Sequence, residues 1–125
     1  MSKRILVIED QEDNRRILRD LLTSVGYELI EAVTGPEGVV MAETHRPDLI
    51  LMDIQLPGLD GYEATRRIKA NPTLRAIPII AVTSFALSGD DVKAFDAGCD
   101  GYVTKPYSPR QLLAKVREYL AVADS

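Results

Sequence analysis

Several residue types that carry chemistry are scarce in this chain of 125 residues. One cysteine, Cys99, excludes an internal disulfide and suits a reducing compartment; we expect it to be a small buried residue. The one histidine, His45, has no cluster of polar residues around it, so a catalytic role is not expected. Basic residues do not outnumber acidic ones, and the net charge of -4 argues against general nucleic-acid binding.

Long apolar runs are also absent. The first residues, Met1-Ser2-Lys3-Arg4, precede only four apolar residues, too few for a signal peptide or a membrane span. The sequence shows no repeat, no low-complexity tract and no linker. We therefore expect one domain over residues 1–125, with a core over about residues 3–122 and no output domain, in the cytoplasm and away from membranes.

What the chain does contain is a series of short apolar runs, each ended by polar residues. The run Leu49 to Met52 leads directly into Asp53, and its length and boundaries predict a buried strand. Similar runs, one of them weaker, complete a set of predicted strands at residues 5–8, 27–32, 48–52, 77–82 and 102–104.

Helical periodicity and capping signals follow each predicted strand. Capping boxes at Thr34 and Ser108 open the second and fifth helices, and the second ends near His45. The third helix is predicted from about residue 60 to 70 and the fourth from residue 88 to 97. Apolar faces are predicted for the first helix at Ile17, Leu18, Leu21, Leu22 and Val25, and for the fifth at Leu112, Leu113, Val116 and Leu120.

The fourth predicted helix has a thin apolar stripe of Val92 and Phe95, with Ala94 beside it. We therefore expect it to be the least firmly anchored helix. The acidic residues around it are expected to form a solvated face: Asp90, Asp91, Asp96 and Asp100.

Five strands alternating with five helices predict an α/β fold, a parallel sheet with helices on both faces. The flavodoxin-like order 2-1-3-4-5 fits five strands and places strands 1 and 3 side by side at the switch point. Ligands of such sheets bind at the carboxyl ends of the strands, where Asp53 lies. Asp53 can therefore be a nucleophile, a metal ligand, both, or only a turn aspartate.

The polar residues at the other strand ends narrow this choice. Strand 1 ends in Glu9-Asp10, and with Asp53 on the neighbouring strand three carboxylates would crowd into one site. Such groups repel one another and raise each other's pKa unless a cation intervenes. Magnesium prefers oxygen ligands of this kind. The alternative is that Glu9 and Asp10 only solvate the loop before the first helix.

Strands 4 and 5 end in Thr83 and Lys105-Pro106. Lysines usually lie on the surface and threonines often simply end strands, so each residue alone is a weak signal. An X-Pro bond adopts the cis form at small cost, and a cis Lys105-Pro106 bond could aim the lysine back over the carboxylates.

Four motifs in this order make the chain resemble the receiver domain of two-component response regulators. They are ILVIED at strand 1, LILMDIQLPGLDGYE around strand 3, PIIAVTSFA at strand 4 and GYVTKP at strand 5. The resemblance spans essentially the whole chain, and the phrasing MDIQLPG with VTSFAL is most similar to stand-alone regulators of the DivK type.

The resemblance implies a role for each matching residue. Asp53 matches the phosphoacceptor, and the magnesium ligands would be Asp53, Asp10, the backbone carbonyl of Gln55 and, through a water molecule, Glu9. The resemblance also implies Mg2+ as cofactor, with Mn2+ as a substitute. The chain departs from the family at Glu9, where aspartate is common; the longer side chain should still reach a metal-bound water.

Further roles implied by the resemblance concern the switch. Thr83 matches the switch hydroxyl, Lys105 the lysine that pairs with the phosphoryl group, and Tyr102 the aromatic residue that turns between outward and inward positions. Gln55 and Phe85 would flank the path of an attacking water, and the bulk of Phe85 predicts slow self-dephosphorylation. Ordinary packing is the alternative for Phe85.

The implied partners are a histidine kinase or histidine phosphotransfer protein, and a downstream target protein or kinase. The exposed residues of the first helix expected to face the phosphodonor are Asn14, Arg15 and Arg19. The signal would leave through the face of helix 4, strand 5 and helix 5. The expected state is a monomer or a weak phosphorylation-dependent dimer, acting as a switch and not as an enzyme.

Other functions on the same fold fit less well. A flavin carrier would need a Ser-, Thr- or Gly-rich loop after strand 1, where this chain has acids. A haloacid-dehalogenase-like phosphatase would need Asp-x-Asp there, which Glu9-Asp10-Gln11-Glu12 lacks. A pseudo-receiver would lack an acid, the lysine or the phosphoacceptor, and none is missing.

Overall fold

The computed structural model describes residues 2–56, 60–83 and 90–124. Within these residues five strands form one sheet: β1 (Arg4–Ile8), β2 (Glu28–Ala32), β3 (Leu49–Asp53), β4 (Ile79–Thr83) and β5 (Gly101–Thr104). The same residues contain five helices: α1 (Glu12–Ser24), α2 (Gly35–His45), α3 (Gly61–Ala70), α4 (Asp90–Ala97) and α5 (Pro109–Asp124). None of these helices combines the length and apolar character needed to cross a membrane.

All strand pairs are parallel, and the sheet order is β2-β1-β3-β4-β5. This confirms the predicted order and the flavodoxin-like class. The central pair is in register from Ile5 opposite Leu49 to Ile8 opposite Met52. The polar residues that follow β1 therefore lie beside Asp53, at the end of β3.

The core has two layers because alternate strand residues point to opposite faces of the sheet. On one face, Leu6, Ile50 and Ile79 belong to an apolar cluster with residues of α2, α3 and α4. On the other, Val7 and Leu51 belong to a cluster with residues of α1 and α5. β1, β3 and β4 are buried on both faces, which explains why they read as continuous apolar runs.

Most of the helix boundaries predicted from capping residues agree with the structure. The Thr34 hydroxyl accepts a hydrogen bond from the Glu37 amide at 3.2 Å, and α2 ends at His45 as predicted. Ser108 and Gln111 cap α5 reciprocally: the Gln111 amide donates to Ser108 Oγ at 3.0 Å, and the Ser108 amide to Gln111 Oε1 at 3.5 Å. β4 begins at Ile79, two residues later than predicted, after Pro78, which has no N–H to donate.

Two predicted apolar faces were partly wrong. On α1, Leu18 and Leu22 are buried as predicted, but Ile17 and Val25 are 55% and 40% exposed. On α4, Val92 and Phe95 are 56% and 50% exposed, so the predicted stripe points outward. Ala94, which the prediction placed beside the stripe, does face the core, together with Ala97.

An ion pair between the mostly buried Lys69 and the exposed Asp100 joins α3 to the amino ends of β4 and β5. The Lys69 ammonium donates to Asp100 Oδ2 at 2.9 Å and to the carbonyls of Arg75 and Ile77 at 3.0 and 2.8 Å. Asp100 Oδ2 also accepts from the Ile79 amide at 2.9 Å, and the Asp100 carbonyl accepts from Tyr119 Oη at 2.7 Å. Asp100 is exposed, as predicted, but its carboxylate also pairs with Lys69, which the sequence did not indicate.

Cys99 lies beside this ion pair and is buried, as expected. Its Sγ is 3.6 Å from Thr65 Oγ1 of α3. Burial raises the pKa of the Cys99 thiol above its usual range. The thiol is therefore a packing group and not a reactive one.

Candidate functional site

The polar residues at the carboxyl ends of the central strands converge on one side of the sheet. Asp53 is the last residue of β3 and Glu9 directly follows β1, its neighbour in the sheet. Both carboxylates are almost fully buried, with exposures of 5% for Asp53 and 2% for Glu9. Almost fully buried acids are uncommon, and two of them at the ends of neighbouring strands mark a candidate functional site.

Main-chain hydrogen bonds hold the two acids in place. The Glu9 amide donates to the Ala32 carbonyl of β2 at 3.0 Å. The Gln11 amide turns back to Glu9 Oε2 at 3.2 Å, and the Gln55 amide does the same to Asp53 Oδ1 at 3.0 Å. Each carboxylate is thus oriented by the amide two residues later, a turn geometry typical of acidic side chains.

The start of α3 is packed directly against Asp53. The Gly61 amide donates to the Ile54 carbonyl at 3.2 Å, and a Cβ atom at Gly61 would overlap the carbonyl oxygen of Asp53. Only glycine fits this approach without displacing the backbone of the strand end. The two residues at the start of α3 therefore have separate roles. Asp60 caps the helix, since its Oδ1 accepts a hydrogen bond from the Glu63 amide. Gly61 allows the helix to pack closely against the backbone of Asp53.

Asp10 completes a group of three carboxylates. Glu9, Asp10 and Asp53 each offer an oxygen within 4.8 Å of the others, and among the described residues this is the group that meets the geometry of a metal site. Asp10 is only half-buried, so the cluster opens to solvent on its side. Several carboxylate oxygens with an open side fit Mg2+, which keeps part of its water shell when bound to proteins.

Lys105 supplies the positive charge at this site. Its ammonium lies 3.0 Å from Glu9 Oε1 and 3.9 Å from Asp53 Oδ2. The Lys105-Pro106 peptide bond is cis, the isomer considered from the sequence. One ammonium against three carboxylates leaves the site with excess negative charge, which favours a further cation.

The charges of the site change the protonation of the buried acids. Burial, together with the hydrogen bond and negative charge of Glu9, raises the pKa of Asp53 to about 7. Burial alone would raise the pKa of Glu9 as well, but the hydrogen bonds from Asp53 and Lys105 hold it below its ordinary value. The two carboxyls therefore share a proton near neutral pH, with Asp53 donating to Glu9.

The remaining predicted site residues lie around this cluster. Thr83 ends β4 and is 2% exposed, and its carbonyl accepts from the Lys105 amide at 2.6 Å. Tyr102 is half-buried on β5, opposite Ala81. Gln55 is half-buried; its role as a carbonyl ligand and the roles of Thr83 and Tyr102 stay predictions. Phe85 lies outside the described residues.

Sequence reasoning misread Arg15. It was expected to be exposed and to face a partner, but its side chain is only 12% exposed and donates to the Glu9 carbonyl at 2.9 Å. It also forms ion pairs with Glu12 and Glu31. The spacing of Glu12, Arg15 and Arg19 indicates helical ion pairs, but the contact with β2 could not be read from it.

Comparisons with known proteins agree with this geometry. The family model described as response regulator receiver domain matches residues 5–117. The polar-differentiation response regulator DivK of Brucella anthropi is 44% identical over 123 residues, which cover 98% of this chain and 100% of that protein. DivK of Brucella ovis is 43% identical with the same coverage.

Solved structures show the same likeness. The receiver domain of sensor histidine kinase PA1611 from Pseudomonas aeruginosa PAO1, with a magnesium ion coordinated in its active site cleft, matches with a TM-score of 0.90 and 38% identity. The match covers 97% of this chain and 99% of that one. A CheY-like receiver domain protein from Methanospirillum hungatei JF-1 matches with a TM-score of 0.90 and 34% identity, covering 99% and 98% of the two chains.

Proposed function

This chain belongs to the family of response regulator receiver domains, and on that premise we propose that it accepts a phosphoryl group from a phosphohistidine onto Asp53. The observation that carries the proposal is the position of Asp53, buried at the end of β3 between two further acids and Lys105. A carboxylate so placed is a nucleophile of the kind that forms aspartyl-phosphates.

The proposed reaction joins an Asp53 oxygen to phosphorus while the bond from phosphorus to the histidine nitrogen breaks and its electron pair stays on the imidazole. The hydrogen bond from the Gln55 amide fixes Asp53 Oδ1. Lys105, 3.9 Å from Oδ2, moves from Glu9 toward the new phosphoryl oxygens and balances their charge. Positioning and charge stabilisation account for most of the catalysis of such transfers.

Metal binding is the second part of the proposal. Glu9, Asp10 and Asp53, with the backbone carbonyl of Gln55, would hold Mg2+, with Glu9 acting through a water molecule. When bound, Mg2+ supplies charge that draws phosphoryl oxygens to the acidic cluster, which otherwise repels them. Three oxygen donors within 4.8 Å support this assignment, and Mn2+ remains a proposed substitute.

The proposed output is a change in protein contacts. Thr83 would donate its hydroxyl to the phosphoryl group, and Tyr102 would turn into the space that Thr83 leaves. The exposed apolar side chains Val92 and Phe95 of α4 support the face that includes α4 as the one that a target protein contacts. Gln55 and Phe85 are the proposed positions that set the phosphoryl lifetime.

The donor would be a histidine kinase or histidine phosphotransfer protein. A cavity of about 530 Å³ beside Lys105, lined by Asn14, Ile17, Lys105, Pro106 and Tyr107, supports its approach along α1. Its lining includes the exposed Ile17.

We place the protein in the cytoplasm, where a free thiol such as Cys99 persists. As a switch, not an enzyme, it would act as a monomer or a weak phosphorylation-dependent dimer.

Radiolabelled phosphotransfer tests the proposal. A phosphohistidine donor should label the unaltered protein when Mg2+ is present and label Asp53→Asn not at all, because the amide cannot form the acyl phosphate. Asp13→Asn is the matched control, since its side chain is 82% exposed and pairs with Arg16 on α1. Equal labelling of the Asp53→Asn variant, or labelling that ignores Mg2+ chelation, would refute the assignment.

A further inference from the structure

We propose that Arg15 is a positioning residue for the acidic cluster: by holding the backbone carbonyl of Glu9, it fixes the loop between β1 and α1 so that Glu9 and Asp10 face Mg2+ together. This inference rests on the proposed function, because it assumes that the acidic cluster binds the metal. It concerns a residue that touches none of the reacting groups.

Arg15 contacts the acidic loop directly. Arg15 lies on α1, and its Nη1 donates to the Glu9 carbonyl at 2.9 Å. Glu9 directly precedes Asp10 in the chain, so the peptide group that Arg15 holds is the one that joins the two acids. A hydrogen bond from a charged donor to this carbonyl limits rotation of both residues.

Arg15 is itself held firmly by its neighbours. Its Nη2 pairs with Glu12, and its Nε lies 3.4 Å from Glu31 Oε1 of β2. Glu31 is fixed in turn by Arg19, which donates to its two oxygens at 2.9 and 2.7 Å. The planar guanidinium can serve all these partners at once, which a lysine ammonium on a flexible chain cannot.

The contact between Arg15 and Glu9 is expected to persist during phosphoryl transfer. In this structure Glu9 is held by the Ala32 carbonyl, the Gln11 amide, Lys105 and Arg15. The Lys105 contact is expected to be given up when Lys105 turns to a phosphoryl group. The Arg15 contact is made to the backbone and is independent of the carboxylate, so it persists through the reaction. Partners of this kind commonly set metal affinity without touching the metal.

The chain offers a matched control in the next residue. Arg16 is 61% exposed and forms an ion pair with Asp13 at 3.2 Å, on the same helix. Arg15→Met and Arg16→Met thus remove the same charge from adjacent positions. Only the first removes a contact with the acidic loop.

Isothermal titration calorimetry with MgCl2 on metal-free protein is the test. We expect Arg15→Met to bind Mg2+ about tenfold more weakly than the unaltered protein, and Arg16→Met to stay within about twofold of it. Arg15→Lys can reach either the Glu9 carbonyl or Glu31 but not both, so we expect it to fall between them. Circular dichroism checks that each variant is folded, and if Arg15→Met is not, Arg15→Lys decides.

Two further measurements distinguish a positioning role of Arg15 from a general loss of structure in the variant. In phosphotransfer, the Mg2+ concentration for half-maximal labelling should rise by the same factor as the Kd, while labelling at saturating Mg2+ stays near that of the unaltered protein. In the metal-free state, the Gln11 amide, which donates to Glu9 Oε2 at 3.2 Å, should exchange faster with solvent in Arg15→Met.

The outcomes distinguish this inference from the proposed function. Unchanged Mg2+ affinity in a folded Arg15→Met or Arg15→Lys variant would overturn the inference and leave the proposed function standing. So would a loss of labelling at saturating Mg2+ with unchanged affinity. Absence of Mg2+ binding by the unaltered protein would overturn both, and equal labelling of Asp53→Asn would overturn the proposed function alone.

Discussion

The two ends of the sheet each hold a mostly buried lysine, but the two lysines have opposite surroundings. At the amino ends of the strands, Lys69 meets one carboxylate, Asp100, and two backbone carbonyls, and its cluster is balanced in charge. At the carboxyl ends, Lys105 pairs with Glu9 and lies near Asp53, and Asp10 adds a third carboxylate to the cluster. Both lysines are about equally exposed, at 17% and 21%.

This difference separates a structural cluster from a functional one. A balanced, fully hydrogen-bonded pair stabilises one arrangement and has no affinity for a further ion. An excess of acids stores unfavourable charge that a cation or a proton relieves, and it therefore responds to ligands. Changes at the amino end should alter stability, and changes at the carboxyl end should alter how stability depends on pH and Mg2+.

The largest change in the free energy of unfolding is expected at the amino ends of the strands, where Lys69 pairs with Asp100. Lys69→Met should lower the free energy of unfolding by about 3 kcal/mol, because three hydrogen bonds from a charged donor, to Asp100 and to two carbonyls, are lost. Denaturant titration measures this, with the exposed Lys93→Met as control. Phosphotransfer to Asp53 should continue. A loss of less than about 1 kcal/mol, or a loss of labelling in folded protein, would contradict the division between the two ends.

A smaller change in the free energy of unfolding, in this case a gain, is expected when Asp53 in the acidic cluster is replaced. Folding gains from the raised pKa of Asp53 only while the group is protonated, and this gain is lost as the pH rises toward about 7. Asn has no carboxyl to ionise, so Asp53→Asn should not lose stability in this way as the pH rises. Without Mg2+, the variant's stability advantage should be larger at pH 8 than at pH 5 by about 2 kcal/mol.

Thermal and denaturant unfolding in the presence of a chelator provide the measurement for Asp53→Asn. Asp13→Asn, with its exposed carboxylate, should show no such dependence on pH. An advantage of the same size at both pH values would mean that Asp53 is ionised in the metal-free fold throughout this range. The acidic end would then be less strained than its geometry indicates.

The smallest effect is that of the metal itself. At pH 8, Mg2+ at ten times its Kd should raise the free energy of unfolding by about 1.4 kcal/mol, since it binds the folded state. The increment should shrink below pH 7 as protons compete for the carboxylates, and it should vanish on chelation. Lys69→Met should keep the full increment and Asp53→Asn should lose most of it. Equal increments in both variants would show that the acidic cluster does not hold the metal.

The fold could be predicted from the sequence because its signals are local. The buried parallel strands read as unbroken apolar runs, and the caps at Thr34, Asp60 and Ser108 mark the helices that they open. Asp53 and Glu9 could be found because a parallel sheet brings the ends of neighbouring strands together. Their partnership follows from topology, which the alternation of elements already indicates.

What could not be predicted depends on distant contacts. The periodicity of α4 shows a stripe, but not that Ala97 faces the core while Val92 and Phe95 face solvent. Asp100 resembles the other acids near it until β4 and α3 supply its donors. Arg15 reads as a surface helix residue, and only β2 reveals the carboxylate that holds it.

The burial of Cys99 has a practical consequence. Because the chain's single thiol is 5% exposed and its pKa is raised, thiol-reactive probes will ignore it in the folded protein. A cysteine introduced on the outer surface of α4, for example Phe95→Cys, would then be the one position that takes a spin label or fluorophore. The protein can therefore carry a reporter of helix movement without first being made cysteine-free.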